Sequence, residues 1–230
     1  MEGLPPDRSS RPGHDPCEYP LTSKDVRLVL WRHGETIWNA EHRFQGQTDI
    51  GLDQTGIEQA ERAARLLASL RPDLIVSSDL SRAAATAAPL ARLTGLAVSY
   101  DKDLRERHGG CWEGLNDAEI RARYPQAHAN WAPPDGESVT AVADRVAAAL
   151  HRTVEDLAAG DERLAVVVSH GAAIRFGMAR LLGLPEELFP ALGPLTNCSW
   201  SVVGSRRGQW RVLEYNAGTL PEPAVLGDDR

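Results

Sequence analysis

Two short apolar runs in this 230-residue chain each end in a histidine followed by a glycine. Arg27 to Trp31 leads into Arg32-His33-Gly34-Glu35, and Leu164 to Val168 leads into Ser169-His170-Gly171. Imidazole has a reference pKa of about 6.5, so near pH 7 it is largely neutral and can serve as a nitrogen nucleophile, a proton carrier or a metal ligand. Arg32 stands beside the first histidine, and Arg82 falls in the first turn of a helix expected from Ser81. A guanidinium fork grips two oxygens in one plane, so these residue types suit chemistry on an anionic group. Two histidines and a carboxylate could equally hold a metal. The neighbouring arginines argue against a divalent cation, because like charges would be forced together. Singly, a strand-end histidine is more often structural and a first-turn arginine more often solvated. The weight lies in their convergence.

Convergence requires a scaffold that brings the two apolar runs side by side. Runs of this length, bounded by Gly and polar residues, read as buried strands, and in an open α/β sheet the carboxyl ends of the strands form the ligand crevice. Between them the spacing predicts a helix from Asp53 or Thr55 to Leu70, with Ile57, Ala60, Ala63, Ala64, Leu67 and Leu70 on one face and Pro72 as its stop. Leu74 to Val76 reads as a strand, Ser81 to Leu93 as a helix stopped by Gly95, and Leu96 to Tyr100 as a further strand. Val139 to Leu157 carries Val142, Val146, Leu150, Val154 and Leu157 at helical spacing, with Ser138 as cap and Gly160 as stop. Ala172 to Leu182 follows as a helix, and Cys198 to Val203 with Trp210 to Tyr215 as an antiparallel pair. Strands alternating with helices of this length predict an α/β fold: three layers, α/β/α, around a mainly parallel central sheet.

Composition narrows the function class. A net charge of −7 without a long basic block gives no field that would attract nucleic acid or an anionic membrane, so an anionic substrate must be held by local arginines. The three cysteines, Cys17, Cys111 and Cys198, are odd in number, far apart and without metal-ligand spacing, which suits a reducing cytoplasm and incidental roles. No apolar stretch approaches the roughly 20 residues that cross a bilayer, and the start lacks a signal pattern, so a soluble cytoplasmic protein is expected. Residues 1–24 and 217–230 read as polar, flexible tails flanking a catalytic domain over 25–216.

Leu30-Trp31-Arg32-His33-Gly34-Glu35-Thr36-Ile37-Trp38-Asn39, followed by Arg43-Phe44-Gln45-Gly46, resembles the histidine phosphatase superfamily, the group that contains cofactor-dependent phosphoglycerate mutases and many small phosphatases. The likeness covers roughly residues 25–215 in five separated segments, and it implies a phosphoglycerate mutase-like fold and a phospho-histidine intermediate. By this resemblance His33 is the nucleophile, with Arg32, Arg82, His170 and backbone N–H groups near Gly34 and Gly171 completing the phosphoryl site. Leu104-Arg105-Glu106-Arg107-His108-Gly109-Gly110-Cys111-Trp112-Glu113-Gly114 matches the stretch whose first glutamate protonates the leaving oxygen, which makes Glu106 the general acid. A carboxyl with the reference pKa of about 4.3 is ionised at pH 7, so such an acid must be retuned by its site or recharged from the leaving group. Glu113 is the runner-up, with a turn-ordering role as its alternative. Asn39, Gln45 and Gly46 match positions lining the phosphate end of the cleft, Asn39 also reading as a cap. Trp38 and Trp112 read as core or cleft wall, and Asn197 as support for a ligand-binding side chain or as turn chemistry.

The fate of the phosphoryl group separates mutase from phosphatase. A mutase must exclude water and return the group to a carboxylate-bearing acceptor, which calls for a lid and extra basic residues. Gly136 follows Gly114 by only 22 positions, and Trp131-Ala132-Pro133-Pro134 stands where the mutases carry paired arginines. Hydrolysis of a small phosphorylated metabolite, without metal or cofactor, is therefore the leading expectation. Val76 to Ala83 and Phe189 to Trp200 resemble the actinobacterial glucosyl-3-phosphoglycerate phosphatases. A phosphoglycerate mutase, a broad-specificity sugar phosphatase and a phosphate-binding module without catalysis are the alternatives; binding alone would not need His33 and Glu106. Arg105, Arg107 and His108 could meet a substrate carboxylate or a second phosphate, or form a solvated loop. Apolar strands leave room for a homodimer without demonstrating one.

Overall fold

A computed structural model describes residues 25–158, 163–206 and 208–218. The expected tail 1–24, most of 217–230, Cys17 and the stop at Gly160 lie outside these residues. Six strands form one sheet: β1 (Val26–Arg32), β2 (Leu74–Ser77), β3 (Val98–Tyr100), β4 (Leu164–Ser169), β5 (Trp200–Arg206) and β6 (Gln209–Ala217). Their order is β3-β2-β4-β1-β5-β6, with β3, β2, β4 and β1 mutually parallel, β5 antiparallel to β1 and β6 antiparallel to β5. The mainly parallel α/β sheet is thus as the alternation of elements implied, and β6 runs to Ala217, one residue into the segment expected as tail.

Seven α-helices are described: α1 (Ile37–Ala40), α2 (Gln54–Ser69), α3 (Ser81–Thr94), α4 (Asp117–Arg123), α5 (Pro125–Ala129), α6 (Val139–Ala158) and α7 (Gly171–Leu181). Side-chain alternation along the strands decides how they stack. Leu28, Leu30, Ala165 and Val167 face α6 and α7 residues such as Val146, Leu150, Ile174 and Met178. Val29, Trp31, Val166 and Val168 face α2 and α3 residues such as Ala63, Leu67, Ala83 and Leu90. Two cores on opposite faces of the sheet give the three layers.

Two expectations about α2 need correction. Ile57 and Leu70 are 47% and 45% exposed, while Gly56 and Gln59 take buried places on the inward face. Backbone needs override hydropathy here: Gln59 Oε1 accepts the Glu35 N–H at 2.9 Å, and a Cβ on Gly56 would run into the Glu35 backbone. The expected cap on α6 is present, with Ser138 Oγ accepting the Ala141 N–H at 3.0 Å. Helices α1, α4 and α5, each seven residues or shorter, are additions.

Candidate active site

Strands β1 and β4 are neighbours in register, Arg32 opposite Ser169, so their next residues, His33 and His170, emerge together at the carboxyl edge of the sheet. The two rings lie 5.1 Å apart between centroids, tilted by 58°. His33 Nδ1 is 2.7 Å from the Gly34 carbonyl oxygen. A carbonyl only accepts, so Nδ1 carries the proton and Nε2 keeps its lone pair. Burial, reinforced by the Arg82 and Arg32 charges and only partly opposed by the Gly34 hydrogen bond, pushes the His33 pKa well below the usual 6.5. The ring is therefore neutral at pH 7.

His170 is neutral in the opposite tautomer. Arg82 Nε donates to its Nδ1 at 3.2 Å, which leaves the proton on Nε2, 2.9 Å from Ser78 Oγ. Its pKa too lies well below 6.5, through burial first and then the charge of Arg82. Both ring nitrogens are thus engaged. His170 has no exposed surface and stands behind the cavity rather than lining it.

Arg82, at the second position of α3, is fully buried. Its Nη1 donates to the Thr48 carbonyl at 2.9 Å and its Nη2 to the Gly46 carbonyl at 2.7 Å. Burial lowers its pKa to about 10, so it remains charged at neutral pH. None of its hydrogen bonds goes to a carboxylate; Glu106, Asp49 and Glu113 act on it only through space. Buried charges are normally paired. This one donates only to two carbonyls and a histidine, so no directly bound carboxylate competes with an anionic ligand. Arg32 lies beside it in the cavity lining, hydrogen-bonded through Nη1 to the Leu195 carbonyl.

The loop that holds Arg82 is itself clamped from its other side. The Gln47 and Thr48 N–H groups donate to the Glu113 carboxylate at 3.0 and 2.9 Å, as does Gly109 at 2.9 Å, and Thr48 Oγ1 adds a short contact. Burial would raise the Glu113 pKa, but these hydrogen bonds outweigh it and the pKa falls below the ordinary value. Glu113 thus has a structural role, as its alternative reading expected, but its carboxylate ties the 47–48 loop to Gly109 rather than ordering the Trp112–Gly114 turn. Gly46 has φ +53°, and a Cβ there would collide with the Glu113 carboxylate.

Glu106 sits at the amino end of α7, where its carboxyl accepts the Ala172 and Ala173 N–H groups at 3.2 and 2.9 Å and that of Arg107 at 2.9 Å. Two of the first N–H groups of α7 are therefore taken by Glu106. The Gly34 N–H, for its part, donates to Thr86 Oγ1 at 3.0 Å, and no helix starts there. The backbone donors expected near Gly34 and Gly171 are thus largely committed within the protein.

Arg32, His33, Asn39, Gln45, Gly46, Arg82, Glu106 and Gly171 all line one cavity of about 480 Å³. Asn39 also serves as a cap: its side chain accepts the Thr36 N–H at 3.2 Å, and Asn197 Nδ2 donates to it at 3.1 Å and to the His33 carbonyl at 3.3 Å. Trp112 is fully buried and Trp38 packs beside Gly114. The rest of the cavity is walled by Phe44, Trp131, Phe176 and Phe189, with Arg107, one of the three residues offered for a substrate carboxylate or second phosphate, and Arg175, which the sequence had not singled out. Arg107 is 3% exposed, not part of a solvated loop, and donates to the Glu137 and Trp131 carbonyls. Arg105 is turned away into a bidentate pair with Asp79 at 2.7 and 2.6 Å, and His108 is exposed.

The model of the histidine phosphatase superfamily (branch 1) matches residues 28–218. The chain belongs to the histidine phosphatase superfamily. Within this superfamily it is 43% identical over 221 residues to the glucosyl-3-phosphoglycerate phosphatase of Mycolicibacterium vanbaalenii, covering 87% of this chain and 98% of that one. It is 38% identical over 192 residues to the probable phosphoglycerate mutase GpmB of Yersinia pestis, covering 80% and 87%. A solved mycobacterial glucosyl-3-phosphoglycerate phosphatase complexed with VO3 superposes with a TM-score of 0.78 at 42% identity, covering 84% of this chain and all of that one. Among the described residues no cluster of three or more His, Cys, Asp or Glu could hold a metal, and no helix is long and apolar enough to cross a membrane.

Proposed function

We propose that this histidine phosphatase superfamily member is a phosphomonoesterase that uses arginine charge rather than a metal and works through a phospho-His33 intermediate. The observation that carries the reading is the His33 ring itself, neutral, with Nδ1–H fixed on the Gly34 carbonyl and Nε2 free to attack, in a site whose buried Arg82 has no carboxylate partner. The Nε2 lone pair bonds to phosphorus while the ester P–O bond breaks, its electron pair leaving on the alcohol oxygen, which takes a proton from Glu106. The Gly34 carbonyl then faces a ring that has become cationic. Water attacks phosphorus next, its proton passing to Glu106, and the N–P bond breaks with its pair returning to Nε2. Arg32 and Arg82 hold the phosphoryl oxygens throughout, and His170 acts by fixing Nε of Arg82.

Glucosyl-3-phosphoglycerate is the substrate we propose, supported by 43% identity across nearly the whole of a relative named for that activity. A relative's complex with VO3, an oxyanion, supports a site built for phosphoryl oxygens. Turnover quenched mid-reaction with labelled ester should leave an acid-labile, alkali-stable label on His33, absent from His33→Ala. A panel of phosphorylated sugars, glycerates and nucleotides, assayed with chelator present, should place glucosyl-3-phosphoglycerate first by kcat/KM. Full turnover by His33→Ala overturns the mechanism; phosphoryl transfer to phosphoglycerate in preference to water would turn the reading to a mutase.

A further inference from the structure

We propose that Arg175 is a second anion subsite of the same cavity, which selects phosphomonoesters carrying a carboxylate a short distance from the phosphate. The inference rests on the phosphatase reading for its substrate but on separate residues for its geometry. Arg175 lies on α7 one turn beyond Gly171, both lining the cavity. A Cβ on Gly171 would sit 3.5 Å from the Arg32 guanidinium carbon, so the start of α7 is packed on one phosphoryl-site arginine. One turn, at 1.5 Å per residue, sets Arg175 about 6 Å further along the helix.

Arg175 differs from the other arginines of the wall. Arg43 pairs with Glu41 and Glu119, and Arg107 spends two nitrogens on backbone carbonyls. Arg175 donates only through Nε, to the Leu192 carbonyl at 2.8 Å, and lies 5.7 Å from the centre of the Phe176 ring. Among the described residues neither of its Nη atoms has a hydrogen bond and no carboxylate pairs with it. The fixed Nε sets the plane of the guanidinium, and the two Nη groups form an end-on fork that matches the two oxygens of a carboxylate. Glu186, the acidic residue across the wall, is engaged by Thr140 Oγ1 at 2.8 Å. In a 3-phosphoglycerate ester, phosphorus and carboxyl carbon are four bonds apart, roughly 5 Å when extended. Both groups of such an ester therefore fall within one cavity, whose lining holds Arg32 and Arg175.

The test uses Arg175→Gln in the full chain, because a Gln side-chain amide reaches as far as Arg Nε and can keep the Leu192 contact while removing the charge. 3-Phosphoglycerate and glycerol 3-phosphate form a matched pair, differing by a carboxylate. The wild-type preference for the first, read as the ratio of kcat/KM values, should fall on the order of tenfold or more in Arg175→Gln, mainly through KM. Arg175→Lys should recover part of it. In a His33→Ala background, where nothing turns over, calorimetric affinity for 3-phosphoglycerate should fall by a similar factor relative to glycerol 3-phosphate. A chain that hydrolyses neither of these esters nor glucosyl-3-phosphoglycerate sinks the phosphatase reading, and the affinity ratio still decides the subsite. Equal losses on both esters, no loss on 3-phosphoglycerate, or no binding of either in the His33→Ala background overturns the subsite.

Discussion

Two neutral imidazoles buried against two guanidinium groups should make this protein unusually sensitive to mild acid. His33 and His170 both have pKa values well below 6.5, each through burial first. The unfolded chain binds protons on these rings near pH 6.5, while the folded chain does not. Between the folded value and 6.5 the unfolded state therefore holds more protons, and stability falls as the pH falls through that window. Lowering the pH from 7.5 to 5.5 therefore favours the unfolded state, by on the order of 1 kcal/mol for each ring that the folded chain keeps neutral across that range. Depressed carboxylates such as Glu113 and Glu137 protonate only at lower pH, so they do not contribute to this slope. Urea unfolding followed by the fluorescence of the buried Trp31 and Trp112, at pH 7.5, 6.5 and 5.5 and constant ionic strength, reads the effect. His33→Asn should flatten the pH dependence of stability over the same range, by on the order of 1 kcal/mol. The same depressed pKa should place the acid limb of kcat/KM well below pH 6.5, once corrected for substrate ionisation. Parallel stability curves for wild type and His33→Asn would refute the claim that the folded state holds this ring neutral.

Glu106→Gln keeps the N–H acceptor but cannot carry the proton, and kcat for esters with poor leaving groups should fall 10²- to 10⁴-fold, far less for p-nitrophenyl phosphate, as steady-state kinetics would show. Gly46→Ala puts a side chain at φ +53° against a carboxylate fixed by four hydrogen bonds, and should cost about 2–3 kcal/mol in denaturant unfolding. Because Gly46 also carries a carbonyl that holds Arg82, its loss should lower kcat/KM as well; wild-type stability and turnover in this variant would contradict the clamp.

Much of the site was legible because its parts lie at places where the chain must change character. Two short apolar runs that each end in His-Gly read as strands delivering a side chain to a sheet edge, and the parallel β1–β4 pairing is what brings His33 and His170 together. The α2 stripe was harder. Hydropathy assigns Ile57 inward, whereas the helix turns to bring Gly56 against the Glu35 backbone and Gln59 onto its N–H. Arg107 was legible as a possible substrate contact but not separable from Arg105 and His108, and Arg175 left no motif signal, because their place depends on which face of a loop or helix the cavity presents. For Arg175 a usable hint existed: a helix that starts at a site presents its first residue and the one four later on the same side. The tautomers of the two histidines follow only from their partners, a carbonyl for one and a guanidinium for the other, which no one-dimensional pattern encodes.

The cavity is built in two materials. Its floor consists of strand ends and peptide carbonyls that fix His33 and Arg82, while its walls come from stretches remote in sequence, Phe44 and Trp131 on one side and Phe176 with Phe189 to Leu195 on another. Changes to the wall short of Leu195, whose carbonyl holds Arg32, need not disturb the floor. A lineage built on such a plan can exchange the molecules it accepts while retaining one phosphoryl chemistry, and an engineer wishing to redirect the enzyme would graft residues 186–191, short of the Leu192 and Leu195 carbonyls that hold Arg175 and Arg32, before touching anything at the edge of the sheet.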